Sequence, residues 1–570
     1  MSEPWAWKAH LDRTVGRGGR APAYRPPLPA RSYEVPAGQR PARPAQPQPQ
    51  PQQWPRHAAP SGVGLVRSHR VFAVVLTLAV VARLVTWTAY GSSLLYPDSV
   101  DYLEQSRILH PMAWHPLGYP LFIAAFGWLH NIGIYALLNH LIGLGTGLLL
   151  YATLLRLGVR PWLAALGTAP ALLDSYVIMT EQYILSDPLS DGLLVAAFAV
   201  LVWRGPDRAW RPPSAWRCVA SGLLLAVGAT TRFDMALLVV PVAAFLAARR
   251  VLLRRITAIV AIVAMTVVGY ASWYDAVNGQ FTTSSLASLY LYGRISSFAS
   301  CQGIAVPPDE RSLCITTPTD RRPSPNWYIS SPDSPARRLS ATEPARSAAI
   351  LGSFDIRILE HQPVSYLATE FTHLAYALNP TRSNIGGADN RPWRFSDTLA
   401  QTIDRVPVAA TVARFGGSAA SPDHALVTVM QAYQLVFWVP GPLLGLGLVV
   451  IVVALARRRS RSSGATAELV LLSLLGSSTL VFAVSAALFE WRYLLPVLVT
   501  LPAAAALAVE MLLAPAAPAA PAPPEQAGQA GSSGSSAQPW IQFRGEGSNL
   551  QHPAPKADVL PIELPRSGTS

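Results

Sequence analysis

Long apolar runs separated by short polar breaks set the pattern of this 570-residue chain. Runs near 71–90, 133–155, 161–177, 184–203, 217–231, 235–248, 256–273, 429–456, 467–489 and 492–513 are each expected to be helical. Several reach the ~20 residues needed to cross a hydrocarbon core. The pattern predicts an all-α polytopic membrane protein of about ten transmembrane helices. One further run, "PLGYPLFIAAFGWLH" at 116–130, is short and holds two prolines.

Composition agrees. Hydrophobic residues make up 51% and charged residues only 14%, against roughly 25% charged in soluble proteins, and mean hydropathy is +0.28. The net charge of +13 would suit a nucleic-acid binder, but its distribution does not. Arginines cluster in the tails and in "RLGVR" (156–160), "RGPDRAWRPPSAWR" (204–217), "RRVLLRR" (249–255) and "RRRSR" (457–461), which marks those loops as cytoplasmic. No nucleic-acid partner is expected. Lysine occurs only at Lys8 and Lys556, an arginine bias that suits a GC-rich bacterial genome.

The chain divides accordingly. Residues 1–66, with "PARPAQPQPQPQQWP", and 514–570, Pro/Ala- then Gly/Ser-rich, are expected to be disordered cytoplasmic tails. Residues 67–273 form a first transmembrane module, 274–428 an extracytoplasmic segment, and 429–513 the C-terminal transmembrane helices. If all four arginine clusters face inward, residues 91–132 face outward. The 116–130 run must then lie along the outer surface without crossing, beside an interfacial helix that begins at Pro97. The expected setting is the cytoplasmic membrane with both termini inside.

That topology collects polar residues on the outer face: Asp98, Asp101, Glu104, His110 and His115, then Glu181 and Asp187, Arg232 and Asp234, and Glu490 and Arg492. Each has a plain explanation. Asp98 after Pro97 suits a helix start, Asp187 before Pro188 could simply cap a helix, and Arg492 between Trp491 and Tyr493 could be a belt anchor. Asp98, Asp101 and Tyr102 nonetheless share a helical face, and an arginine among carboxylates can also hold a phosphate. His115 with the carboxylates leaves room for a divalent cation. Cys301 and Cys314 would pair if their segment meets an oxidising exterior. No Walker loop, dinucleotide fingerprint, zinc-peptidase helix or nucleophile elbow occurs, so no nucleotide cofactor is expected. "GLGTG" at 143–147 reads as close helix packing.

The ordered set of "DSVDY" (98–102), "HPLGYP" (115–120), "SDPLSDGLL" around Asp187, "RFD" (232–234) and "RYLLP" (492–496) resembles the GT-C superfamily of membrane glycosyltransferases. Its protein O-mannosyltransferase-like and aminoarabinose-transferase-like members use polyprenyl-phosphate-linked sugars. The likeness covers about 70–275 well and 467–510 loosely, and it departs where Ser99 replaces the second acid of a D-E-x-x-Y motif. It implies an inverting transfer to an acceptor hydroxyl of a glycan, lipid or protein at the outer face, in cell-envelope synthesis. Asp98 would be the general base. Asp101, Glu181, Asp187 and His115 would position the acceptor or a cation, and Arg232 and Arg492 would bind the lipid phosphate. The rival readings are a transporter or lipid flippase, and a non-catalytic envelope scaffold. The halves show no internal repeat and the acids sit at span ends on one side, which suits surface chemistry better than alternating access.

Overall fold

In the computed structural model, the described residues are 62–513, except 206, 208, 386–387, 404–405 and 458–464. The two expected tails, apart from residues 62–66, lie outside them, as does most of the "RRRSR" cluster. Among the described residues twenty α-helices follow one another, beginning with α1 Gly62–Tyr90, α2 Pro97–Ile108, α3 Gly118–Phe126, α4 Ile134–Leu157, α5 Pro161–Leu173, α6 Ser175–Gln182, α7 Asp187–Val202, α8 Ala215–Thr231, α9 Val239–Ala248 and α10 Leu253–Asn278. The long polar segment adds α11 Ala287–Ile295, α12 Pro325–Ser330, α13 Pro335–Thr342, α14 Ser347–His361, α15 Pro363–Tyr376 and α16 Val408–Phe415. The chain then returns to apolar helices α17 His424–Val436, α18 Gly441–Arg457, α19 Thr466–Ala486 and α20 Leu495–Leu513.

Helix occupies all ten apolar runs, but fewer than ten of the helices are by themselves long and apolar enough to cross a membrane. By length and composition five helices among the described residues can cross a membrane, or seven if two bent pairs each count as one span. The reason is local. The α5–α6 pair bends by 43° where Asp174 leaves the helix and its side chain accepts the Tyr176 N–H instead. The α17–α18 pair bends by 41° ahead of Pro440 and Gly441. Helices α7 and α8, of 16 and 17 residues, are about 25 Å long at 1.5 Å per residue, short of a ~30 Å core. The 116–130 run forms only nine-residue α3 and a three-residue 3₁₀ turn, too short to cross.

The arginine-rich segments gather at one end of the bundle. Arg160 pairs with Glu510 at the end of α20, and Arg204 and Arg249 both pair with buried Glu468 at the start of α19. At the opposite end Asp174 holds Arg382, with contacts of 2.8 and 3.1 Å. Burying such charges is tolerable only because each finds an opposite partner. The "GLGTG" stretch lies within α4, and a side chain at Gly143 would collide with the Glu181 carboxylate.

Helices α11–α14 of the polar segment build a second apolar core around Tyr292, Leu313, Ile329 and Phe354. Cys301 and Cys314 are disulfide-bonded across a 13-residue separation. One polar group sits badly there. Asp355 is fully buried, neither carboxylate oxygen has a hydrogen-bond partner among the described residues, and burial pushes its carboxyl up to about 8. Folding therefore asks Asp355 to keep a proton that the unfolded chain loses near pH 4, so stability falls as pH rises from about 4 toward 8. Replacing it with Asn removes this linkage. Asp355→Asn is expected to unfold at a higher temperature than the parent protein at pH 8, with the gap narrowing toward pH 4. A thermal-shift series in detergent from pH 4 to 8 checks this, and a gap independent of pH would contradict it.

Candidate active site

Four separate stretches meet at the end of the bundle opposite the arginine loops. The first contact is backbone to backbone. Leu94 N–H donates to Gln182 carbonyl (2.9 Å) and Ile184 N–H donates to Leu94 carbonyl (3.0 Å), a one-residue parallel bridge. It lays the chain entering α2 beside the chain entering α7. Ser99 tightens the join. Its buried hydroxyl donates to Ile184 carbonyl (2.8 Å) and accepts the Tyr96 N–H (2.9 Å). A carboxylate could not donate that bond, which explains locally why a serine suits the position where the related motif carries an acid. One helical turn on, Tyr102 shares a 3.1 Å hydrogen bond with Ser186.

Asp98 lies in the first turn of α2, after Pro97, where helix geometry favours an anion. Its Oδ2 accepts a 2.6 Å bond from Arg492 Nη1, and both side chains are largely buried. Arg492 sits in the 3₁₀ turn that opens into α20. His115 stands on the other side of Asp98, with Nε2 3.9 Å from its Oδ1 and 3.5 Å from Asp101 Oδ2. Burial works against the Asp98 charge, but Arg492 and then His115 outweigh it and hold the carboxyl below the usual carboxylate range. Glu490, half-buried in the turn before α20, is pushed by desolvation up to about 7.

Asp187 is the first residue of α7, while Ser186 is the N-cap. The carboxylate is not the helix cap; its Oδ1 accepts 2.6 Å from Arg232 Nη1. Arg232 follows α8 in extended backbone and also reaches both oxygens of Asp234 at 3.2 Å. These carboxylates overcome burial and fix the guanidinium in its charged form. The rings tie the two arginines together. Arg232 lies 5.5 Å and Arg492 5.4 Å from the Tyr493 ring centroid, and Arg492 also lies 5.5 Å from that of Tyr96. Gly118 lets α3 approach α8, since a side chain there would meet the Thr230 backbone.

Asp98, Tyr102, His115, Ser186, Arg232, Asp234, Arg492 and Tyr493 line one open cavity of about 380 Å³. Its far wall comes from α11 (Ala287, Tyr290) and from the end of α19 (Phe482, Ala483, Ala486). Two buried atoms at the site lack hydrogen-bond partners among the described residues, Arg492 Nε and Asp187 Oδ2. A larger cavity, about 730 Å³, lies against Tyr96 and Pro97 and is edged by Arg391, Arg394 and Phe395.

The structure therefore gathers Asp98, His115, Asp187, Arg232 and Arg492, with Asp101 reaching the rim through His115. Glu181 is a correction. It was expected among the acceptor- or cation-positioning groups at the outer face, but it lies inside the bundle, bound by Arg83 at 2.7 and 2.8 Å and by His140 at 2.8 Å. Arg83 lies in the middle of the first apolar run, and a lone buried charge there demands a partner. That arginine was the available sequence signal. Trp114 and Tyr290, whose rings meet edge to face, gave none. Glu104 makes a surface pair with Arg414 (2.8 Å). Among the described residues no group of three or more His, Cys, Asp or Glu side chains is placed to hold a metal ion.

The acid–arginine cluster lies beside the short helix α2 at one end of a helical bundle with five to seven candidate membrane spans among the described residues. Residues 127–259 match the family model for dolichyl-phosphate-mannose-protein mannosyltransferase. The match takes in Asp187 and Arg232 but stops short of Asp98 and Arg492 on either side. No curated protein matches the chain, and no solved structure does.

The Arg492–Asp98 pair yields a specific expectation. An adjacent cation lowers a carboxyl pKa by one to three units. Arg492→Gln should therefore move the acid limb of the activity–pH profile upward by about one unit or more. An unmoved limb would mean that Asp98 does not titrate in the reaction.

Proposed function

We propose that this protein transfers mannose from a polyprenyl-phosphate carrier to a hydroxyl of a protein or glycan acceptor, on the outer face of the cytoplasmic membrane. The observation that carries this reading is Asp98 on the same cavity wall as two arginines delivered by other loops. A transfer from a lipid phosphate needs one base and a place for a leaving anion, and the cavity offers both.

In this reading the acceptor oxygen attacks the anomeric carbon and its proton passes to Asp98. The bond from that carbon to the phosphate oxygen breaks, and the bonding pair leaves with the phosphate. A single displacement inverts the anomeric centre. The leaving group is already a stable anion, so no general acid is required. Arg232 and Arg492 stabilise the charge that the phosphate gathers, and a bound divalent cation would add to it. The donor phosphate competes with Asp98 for Arg492, and that competition frees the carboxylate to accept a proton. Asp187 and Asp234 keep Arg232 aimed into the cavity. His115 stands 3.9 Å from the second oxygen of Asp98, with Asp101 on its other side. The acceptor approaches from the larger cavity beside Tyr96 and Pro97.

The sidedness rests on the gathering of Arg160, Arg204 and Arg249 at the far end of the bundle, which the positive-inside rule assigns to the cytoplasm. A bacterial cell-envelope glycan or glycoprotein is the acceptor class that fits.

Removal of a positioned general base costs about 10²–10⁴ in rate. Asp98→Asn is expected to lose transfer from polyprenyl-phosphate-mannose by that factor in membranes, at unchanged protein level. Retention of full activity would remove Asp98 as the base.

A further inference from the structure

Helix α15 is amphipathic the wrong way round for a water-exposed segment. Its charged side chains point into the protein. Glu370 accepts from Arg294 of α11 (2.9 Å) and from Ser485 at the end of α19 (2.9 Å), and His373 meets Arg294 at 2.7 Å. Glu370, His373 and Arg294 are all buried. The apolar residues point out. Val364 is 77%, Leu367 52% and Phe371 70% exposed, and Leu378 just past the helix is 42% exposed. Their spacing of three, four and seven puts them on one stripe.

The position of the helix says what covers that stripe. Near its start, Tyr366 hydroxyl donates to the Ser485 carbonyl in the last turns of α19 (3.1 Å). Beyond its end, Asn379 carbonyl accepts from the N–H of Gly441, the first residue of α18 (3.0 Å). Both contacts are at the Asp98 end of the bundle. The Leu378 backbone lies against Gly441 and its side chain reaches Gly445, and α18 exposes Leu443 and Leu446 beside them, so the stripe runs on into the outward face of the apolar helices. A helix lying across the ends of spans, apolar side out and charges tucked in, matches an element seated at the boundary of headgroups and acyl chains.

We propose that α15 is a membrane-interface helix whose Val364–Leu367–Phe371–Leu378 stripe is buried among lipid acyl chains of the leaflet on the Asp98 side. The segment 274–428 is thereby held to the bilayer rather than standing free of it. The anchoring reaches the site. Arg294, fixed by Glu370, belongs to the same short helix as Ala287 and Tyr290 of the cavity wall. The proposal does not depend on which sugar or acceptor the protein uses.

Spin labels test it directly. Leu367→Cys and Phe371→Cys, and Arg321→Cys on an exposed turn of the same segment, are made in a Cys218→Ser background and reconstituted into phosphatidylethanolamine–phosphatidylglycerol vesicles. Val364→Cys replaces either stripe variant that does not reconstitute. Power-saturation spectra then compare relaxation by oxygen, which concentrates in hydrocarbon, with relaxation by a nickel chelate, which stays in water. Labels at 367 and 371 are expected to favour oxygen several-fold, and the label at 321 to favour nickel. Nickel-dominated relaxation at 367 and 371 would place the stripe in water. Shielding from both agents would place it against another protein. Either result overturns the proposal.

Discussion

The 2.6 Å pair between Asp98 and Arg492 is the contact on which the rest of the site turns. It joins residues almost 400 positions apart, one from the first polar loop and one from the start of the last helix. Neither charge is tolerable alone where it sits, because a buried ion without a partner costs several kcal/mol. The same need draws Arg232 to Asp187 and Asp234. Two guanidiniums then face the same Tyr493 ring, on one cavity, and in the proposed reading it is this pair that receives an anion. Arg492 Nε and Asp187 Oδ2, both without partners among the described residues, show that the folded site has not spent all its capacity for hydrogen bonds.

Short-range structure makes that arrangement possible. The bridge between Leu94 and Tyr183, the Ser99 hydroxyl and the close approach at Gly118 hold the starts of α2 and α7 and the end of α8 together. Serine at position 99 is thus part of the scaffold: it supplies a donor to a carbonyl, which an acid in its ionised form cannot. Asp98 stands at the start of a helix that the Ser99 hydroxyl fastens to the Ile184 carbonyl.

Much of this was legible in the sequence. Apolar runs gave the helices, arginine bias grouped the loops at one end, and the resemblance picked out Asp98, Asp187, Arg232 and Arg492, all of which reach the site. Three things were hidden. The bends at Asp174 and Pro440, which break two of the apolar runs into helix pairs, are averaged away by hydropathy. Glu181 stands near a helix end in the sequence, yet it lies inside the bundle against Arg83, and only the lone arginine in the first apolar run hinted at that. The outward apolar stripe of α15 was masked by Glu370 and His373, which make the segment look polar when read as a string, although its charges face inward.

The central claim is that Arg232 and Arg492 receive the phosphate of the donor lipid while Asp98 faces the reacting carbon. A cryo-electron microscopy structure with bound polyprenyl phosphate tests it most directly. The account predicts phosphate density within hydrogen-bond distance of both guanidiniums, with Arg492 drawn away from Asp98. Phosphate seated instead against Arg391 and Arg394 in the larger cavity, with the Asp98–Arg492 pair intact, would contradict it.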